Sequence, residues 1–163
     1  MGDGCHAYSV WPGWLGDVID GHDRELIGYE FALRGRAKEA EQALEAGCIA
    51  RFGTLRPVGP TPVLRSDNGL IFQSRRFRQA RGDYRLAQEF ITPYTPQQNN
   101  GLIEGIFRSV KEECAWQHPF ENFEEARQII NQWLRWYNEE RLHQALQYRS
   151  PRQFRQEQCS QVA

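Results

Sequence analysis

The fold is decided by residues 5–33, CHAYSVWPGWLGDVIDGHDRELIGYEFAL. Three short runs rich in β-branched and aromatic residues stand out, CHAYSV, WLGDVID and ELIGYEFAL, separated by Gly, Pro, Asp and His. Such runs with tight-turn residues between them read as three strands in an antiparallel meander. The next segment, AKEAEQALEAGCIARFG, changes period. Ala40, Ala43, Leu44, Gly47 and Cys48 recur at helical spacing, and Gly53 supplies the stop.

The break RPVGPTP is followed by VLRSDNG, a short strand closed by an Asp-Asn-Gly turn. SRRFRQARGDY reads as a short helix, LAQEFI as another strand and GLIEGIFRSVKEECAW as an apolar-periodic helix. A further helix starts at Asn122, with Glu125 as its capping-box partner, and Phe123, Ala126, Ile130, Trp133 and Tyr137 on one face. The order β-β-β-α-β-α-β-α-α describes an α/β protein, a mixed sheet with helices on its faces.

The 163 residues suffice for one domain with a real core, and 40% hydrophobic with 25% charged residues argues against wholesale disorder. No apolar run approaches the roughly 20 residues of a membrane span, and no signal-peptide pattern opens the chain. A cytoplasmic location with no membrane partner is expected. Cys5, Cys48, Cys114 and Cys159 are isolated and the four histidines scattered, which favours reduced structural thiols over a zinc site.

The net charge of −1 hides an asymmetry: residues 1–50 hold nine acids against four bases, and residues 51–85 eight arginines against two aspartates. Arg75, Arg76, Arg78, Arg81 and Arg85 crowd into eleven positions. The block reads equally well as a phosphate-contacting surface or as a solvated helix face.

Three acids occupy informative places: Asp3 at the start of the first strand, Asp67 at the end of VLRSD, and Glu104 in the first turns of the later helix. With the first strand central and VLRSD beside it, both aspartates reach one end of the sheet, and a helix across that end adds Glu104. Hard oxygen ligands gathered this way suit Mg²⁺ or Mn²⁺. A pair of such ions about 3.5–4 Å apart stabilises in-line phosphoryl displacement. Any of the 21 acids could instead be a cap, turn former or surface charge, and Asp67 within SDNG also fits a plain turn residue. Arg108 and Lys111 follow Glu104 at helical spacing, within roughly 40° of its direction. One face thus presents an acid and two cations, as a phosphate-holding surface or as an ordinary surface ion pair.

LRSDNG, FITPYTPQQNNGLIE, FRSVKEE and WYNEERLHQALQYRSP closely resemble the catalytic domain of bacterial insertion-sequence transposases, the DDE group whose core is similar to retroviral integrase. VIDGHDRELIGYEF fits the same family's second and third strands, so the resemblance spans residues 3 to 155. It implies a ribonuclease H-like five-stranded sheet of order 3-2-1-4-5, the first three strands antiparallel, with helices on both faces. It also implies cleavage at transposon ends followed by strand transfer into target DNA, using two Mg²⁺ or Mn²⁺ ions. By motif match Asp67 is the second aspartate, Glu104 the glutamate and Lys111 the DNA-contacting lysine. Asp3 is taken as the first aspartate over Asp17 or Asp20, because DGCHAY matches Asp-x-Thr-His-x-Tyr at Asp3, His6 and Tyr8, with Cys5 in place of Thr. Arg108 and Arg75, Arg76 and Arg78 are further candidates for DNA phosphates.

By the same resemblance Asp20 is structural, and Tyr137, Asn138, Arg141, His143 and Pro151 match a C-terminal signature read as packing and capping. The implied partners are double-stranded DNA, further copies of this chain, and a separate helix-turn-helix transposase chain. Residues 1–155 are expected to form the core and 156–163 a tail. The family's N-terminal helix-turn-helix module is expected to be absent, and the protein to associate with the nucleoid when on DNA.

Departures set the alternatives. Gly105 replaces a usually larger residue, and one extra residue separates Asp67 from Glu104, assigned to the Asn99-Asn100 pair. If the loop held by Pro96 and Gly101 absorbs it, Glu104 keeps its direction; if the helix absorbs it, Glu104 turns about 100° away. The competing readings are a catalytically silent remnant, a non-enzymatic partner of full-length transposase, and a general ribonuclease H-like nuclease.

Overall fold

The structure, a computed structural model, describes residues 2–10, 13–91 and 101–162, with the backbone alone for residues 2–10 and 162. Strands β1 (Gly2–Val10), β2 (Gly13–Ile19) and β3 (Leu26–Ala32) form an antiparallel meander. β4 (Val63–Ser66) then pairs parallel to β1, and β5 (Ala87–Phe90) parallel to β4, giving one five-stranded sheet of order β3-β2-β1-β4-β5. β1 is therefore central.

Two cores lie on opposite faces of this sheet, because β2 alternates. Trp14 and Val18 face helix α1 (Ala37–Phe52), which buries Ala40, Ala43, Leu44 and Cys48. Phe72 of the single-turn α2 (Leu70–Gln73) and Phe77 and Ala80 of α3 (Arg75–Asp83) complete that core. Leu15 and Ile19 face the other way, toward α4 (Gly101–Ser109) and α5 (Phe123–Glu139). All seven residues of β2 are buried as a result.

β3 meets α1 through glycines. A Cβ on Gly28 would sit 2.1 Å from the Ala43 carbonyl oxygen and 2.5 Å from the Gly47 nitrogen, both backbone atoms that cannot swing aside. Gly28→Ala is therefore expected to cost about 3 kcal/mol in urea unfolding, at the upper end of ordinary overpacking. α1 ends at Gly53, whose φ of 68° is the left-handed conformation the sequence signal demands.

The helix expected over GLIEGIFRSVKEECAW is not uniform. α4 stops at Ser109, a π-helical turn occupies Val110–Cys114, and a 3₁₀ turn Ala115–Gln117 follows. The Ala115 amide is shared between the carbonyls of Lys111 and Val110. The wider turn keeps Val110 and Cys114 buried in line with Ile103, Ile106 and Phe107.

On α5 the face expected from the sequence is the one that is packed. Ala126, Ile130, Trp133 and Tyr137 are buried, and Phe123 stacks on Phe31 at 5.1 Å between ring centres. Asn122 caps the helix by accepting from the Glu125 amide. Glu125 reaches back to the Glu121 amide, one residue beyond the capping-box partner.

Residues 156–162 belong to α6 (Pro151–Val162), which the sequence pattern did not announce. α6 is anchored by charge: Arg155 donates to Glu25 at 3.0 Å, and Arg152 pairs with Glu139. Glu25 also belongs to a half-hidden network in which Arg51 binds Asp20 at 2.8 Å and Asp23 at 3.1 Å. Among the described residues no helix is long and apolar enough to cross a membrane.

Candidate active site

Asp67 follows the last residue of β4, and its position is built by backbone geometry. Oδ1 accepts from the Gly69 amide at 2.7 Å, closing an Asx turn. Asn68 donates to the Ile91 carbonyl at 2.8 Å, and Gln73 donates to the Asn68 carbonyl at 2.6 Å. These bonds fasten the turn to the end of β5 and to α2. A Cβ on Gly69 would lie 2.7 Å from Asp67 Oδ1, so any larger residue there would push that carboxylate out of its turn. Asn68, Gly69 and Gln73 were not singled out as site residues; the SDNG turn signal already contained the first two.

Glu104 stands in the first turn of α4, where the partial positive charge of the helix N-terminus favours an acid. Its helix buries Ile103, Ile106 and Phe107 and leaves Glu104 and Arg108 exposed. Arg108 lies one turn on from Glu104 and forms no ion pair among the described residues. Lys111 falls within the π turn and is half-buried, so the uniform 100° step from Glu104 does not carry through to it.

Asp3 lies on the central strand β1, opposite Leu64 of β4 in parallel register. That is three positions short of Asp67, or about 10 Å of strand at 3.3 Å per residue. The side chains of Asp3, Cys5, His6 and Tyr8 lie outside the described residues, as does the Asn99-Asn100 pair. Among the described residues no three His, Cys, Asp or Glu side chains gather as a metal-binding group. The donor chemistry of Asp67 and Glu104, carboxylate oxygen alone, is that of a hard divalent cation.

The arginine block divides. α3 packs beside α1, on the sheet face opposite α4. Arg76 pairs with Glu41 of α1, and Arg81 donates to the Leu86 carbonyl at 3.1 Å. Arg75 lines an open groove between α1 and α3 with Glu41 and Tyr84, and Arg78 is exposed. These side chains are not on the Glu104 face.

The C-terminal signature has structural work. Asn138 donates to the Leu26 carbonyl and accepts from the Leu26 amide, both at 2.9 Å, tying α5 to the start of β3. Arg141 grips Glu113 at 2.7 and 3.1 Å and reaches Ser109 at 3.3 Å, bracing the helix that carries Glu104. Pro151 opens α6, a first-turn position that suits its missing N–H. Asp17 on β2, an alternative to Asp3, is 0% exposed, and neither carboxylate oxygen has a hydrogen-bond partner among the described residues. Burial pushes its carboxyl up to about 8.

Comparison with known proteins points one way. A family profile described as integrase core domain matches residues 84–151. The putative transposase InsK for insertion sequence element IS150 of Escherichia coli K12 is 26% identical over 142 residues, covering 87% of this chain. The chain spans 48% of that relative's length. An insertion element IS136 uncharacterized protein of Agrobacterium fabrum is 28% identical over 152 residues, covering 90% of this chain and 77% of the relative. Among solved structures, the catalytic core domain of BIV integrase superposes with a TM-score of 0.69 at 17% identity, over 99% of this chain and 98% of that one. The HTLV-2 integrase catalytic core domain, in a trimeric form in complex with magnesium, superposes with a TM-score of 0.63 at 17% identity, over 94% and 93%. At that identity the likeness shows the fold.

Proposed function

We propose that this chain, which is similar to integrase core domains over residues 84–151 and to insertion-sequence transposases over most of its length, is the catalytic core of a transposase, performing metal-dependent strand cleavage and strand transfer on double-stranded DNA. The reading rests on two placements: Asp67 held by its turn at the end of β4, the strand beside central β1, and Glu104 exposed in the first turn of α4. Asp3, Asp67 and Glu104 are the residues that would hold Mg²⁺ or Mn²⁺. A divalent ion there supplies Lewis-acid stabilisation of charge on a phosphoryl group. Arg108, exposed beside Glu104, neutralises a DNA phosphate, and Lys111 does the same from the π turn. Arg75, Arg76 and Arg78 are assigned to more distant backbone contacts, Arg76 only once it leaves Glu41. The working form is an assembly of several copies, acting in the cytoplasm at the nucleoid, with a helix-turn-helix chain supplying sequence reading.

One observation favours a second reading, that of a catalytically silent core. Asp3 sits three register positions from Asp67, and a shared ion requires their oxygens to meet. The test is strand transfer of a pre-cleaved duplex into plasmid with Mn²⁺. Joined products that vanish with chelator support the enzyme; their absence from the wild-type chain supports the silent core.

A further inference from the structure

A cavity of about 160 Å³ opens beside α4, between it, the end of α5 and the C-terminal signature. It is lined by Gly101, Gly105 and Ser109 of α4 and by Arg24, Arg141 and His143. On the helix, Gly101, Gly105 and Ser109 centre about 80° round from Glu104 and Arg108. The cavity is therefore distinct from the carboxylate face.

Leu102, Ile106 and Tyr137 complete the lining, and the polar part of it is cationic. Arg24 has no carboxylate partner among the described residues. It is held at φ 62°, a left-handed backbone that fixes where its side chain starts. Arg141 directs Nη1 to His143 Nδ1 at 3.5 Å. With Nδ1 accepting, the ring proton sits on Nε2, and that donor is buried without a partner among the described residues, in a residue 8% exposed. Ser109 accepts from Arg141, leaving its hydroxyl proton to donate. The first turn of α4 adds the positive end of the helix. Gly105 keeps the space open, because a Cβ on it or on Gly101 would meet no atom within 4 Å. The two arginines against Glu113, which pairs with Arg141, leave one net positive charge. That balance matches a singly charged phosphodiester better than a phosphate dianion.

We propose that this cavity is a phosphodiester subsite, seating one backbone phosphate of bound DNA on Arg24, Arg141, Ser109 and the first turn of α4. Only the source of the phosphate rests on the transposase reading; the pocket itself does not.

The test is an amide NMR titration of the whole chain with dimethyl phosphate, and separately with a short duplex, against sodium chloride of equal ionic strength. Gly101, Gly105 and Ser109 amides are expected to shift saturably with both ligands. Gly105→Leu, which fills the cavity and improves helix propensity, and Arg24→Asn, which tolerates the positive φ, should each weaken binding at least about tenfold, the effect of losing one charge-assisted contact. Lys38→Gln, on the opposite face of the sheet, should bind as wild type. Shifts that rise linearly, that sodium chloride reproduces, or that survive in both variants overturn the site. Saturation with dimethyl phosphate but none with duplex overturns DNA as the source while sustaining a site for small phosphate esters.

Discussion

Asp17→Leu is expected to make the protein more stable, by several kcal/mol at pH 8 and by much less at pH 5. Asp17 lies between Leu15 and Ile19 on the strand face that packs against α4 and α5, fully buried, with neither carboxylate oxygen hydrogen-bonded among the described residues. An unpaired polar group in such a place costs about 1–3 kcal/mol even when neutral. Burial raises its carboxyl to about 8, so the folded protein holds a proton that the unfolded chain releases near 3.8. For a group raised on folding, stability is fully present below the unfolded value and is lost as pH climbs toward the folded one. At about 1.4 kcal/mol per unit, the window from about 4 to about 8 spans on the order of 5 kcal/mol.

Leucine matches the branching of aspartate and replaces the two orphan oxygens with methyl groups suited to their surroundings. The informative quantity is the difference between variant and wild type, measured by urea unfolding at several pH values. Other titrating groups cancel in it, including His143, whose burial pulls it down to about 4 and which acts in the opposite sense. The gap should widen steadily from pH 5 to pH 8. A gap independent of pH would show that Asp17 is solvated or paired in solution.

Asp67→Asn is expected to remove strand transfer by about 10³-fold or more, the scale of losing several kcal/mol of charge stabilisation at a metal site. The substitution is chosen because it spares the fold. Asparagine offers the same oxygen to the Gly69 amide that Asp67 Oδ1 now accepts from at 2.7 Å, and asparagine is at home in such a turn. The variant should therefore unfold within about 0.5 kcal/mol of wild type. Lost activity then reports the missing charge rather than a disordered loop. Glu104→Gln, on an exposed helix position, should behave alike. Activity undiminished by Asp67→Asn would remove that residue from the site.

Much of the architecture was legible because period and punctuation agree. The β-branched and aromatic runs of β2 and β3, the Gly53 stop of α1 and the Asn122 cap of α5 all lie where local chemistry puts them. Elements without such a pattern were not legible. α2 is a single turn, too short to show a period, and α6 is held by Arg152 and Arg155 on Glu25 and Glu139 rather than by an apolar stripe. The π turn at Val110–Cys114 shifts a hydrogen bond by one residue while leaving the apolar spacing helical.

At the site, SDNG fixed the turn that presents Asp67, and the helical period put Glu104 on the exposed face. The arginine block misled because composition says nothing of which sheet face a helix covers; α3 lies with α1, and Arg76 is taken by Glu41. Asp17 sits within the strand WLGDVID, and the local pattern does not say that this acid is buried. Only the covering of both sheet faces makes it a buried one.

The central claim is that Asp3, Asp67 and Glu104 share a divalent ion. Crystals soaked in MnCl₂ and measured at the manganese absorption edge test it most directly. The account predicts anomalous density bounded by the Asp67 and Glu104 carboxylates, with Asp3 as the third ligand, and its loss in Asp67→Asn. Density elsewhere, or none at these carboxylates at saturating manganese, would contradict it.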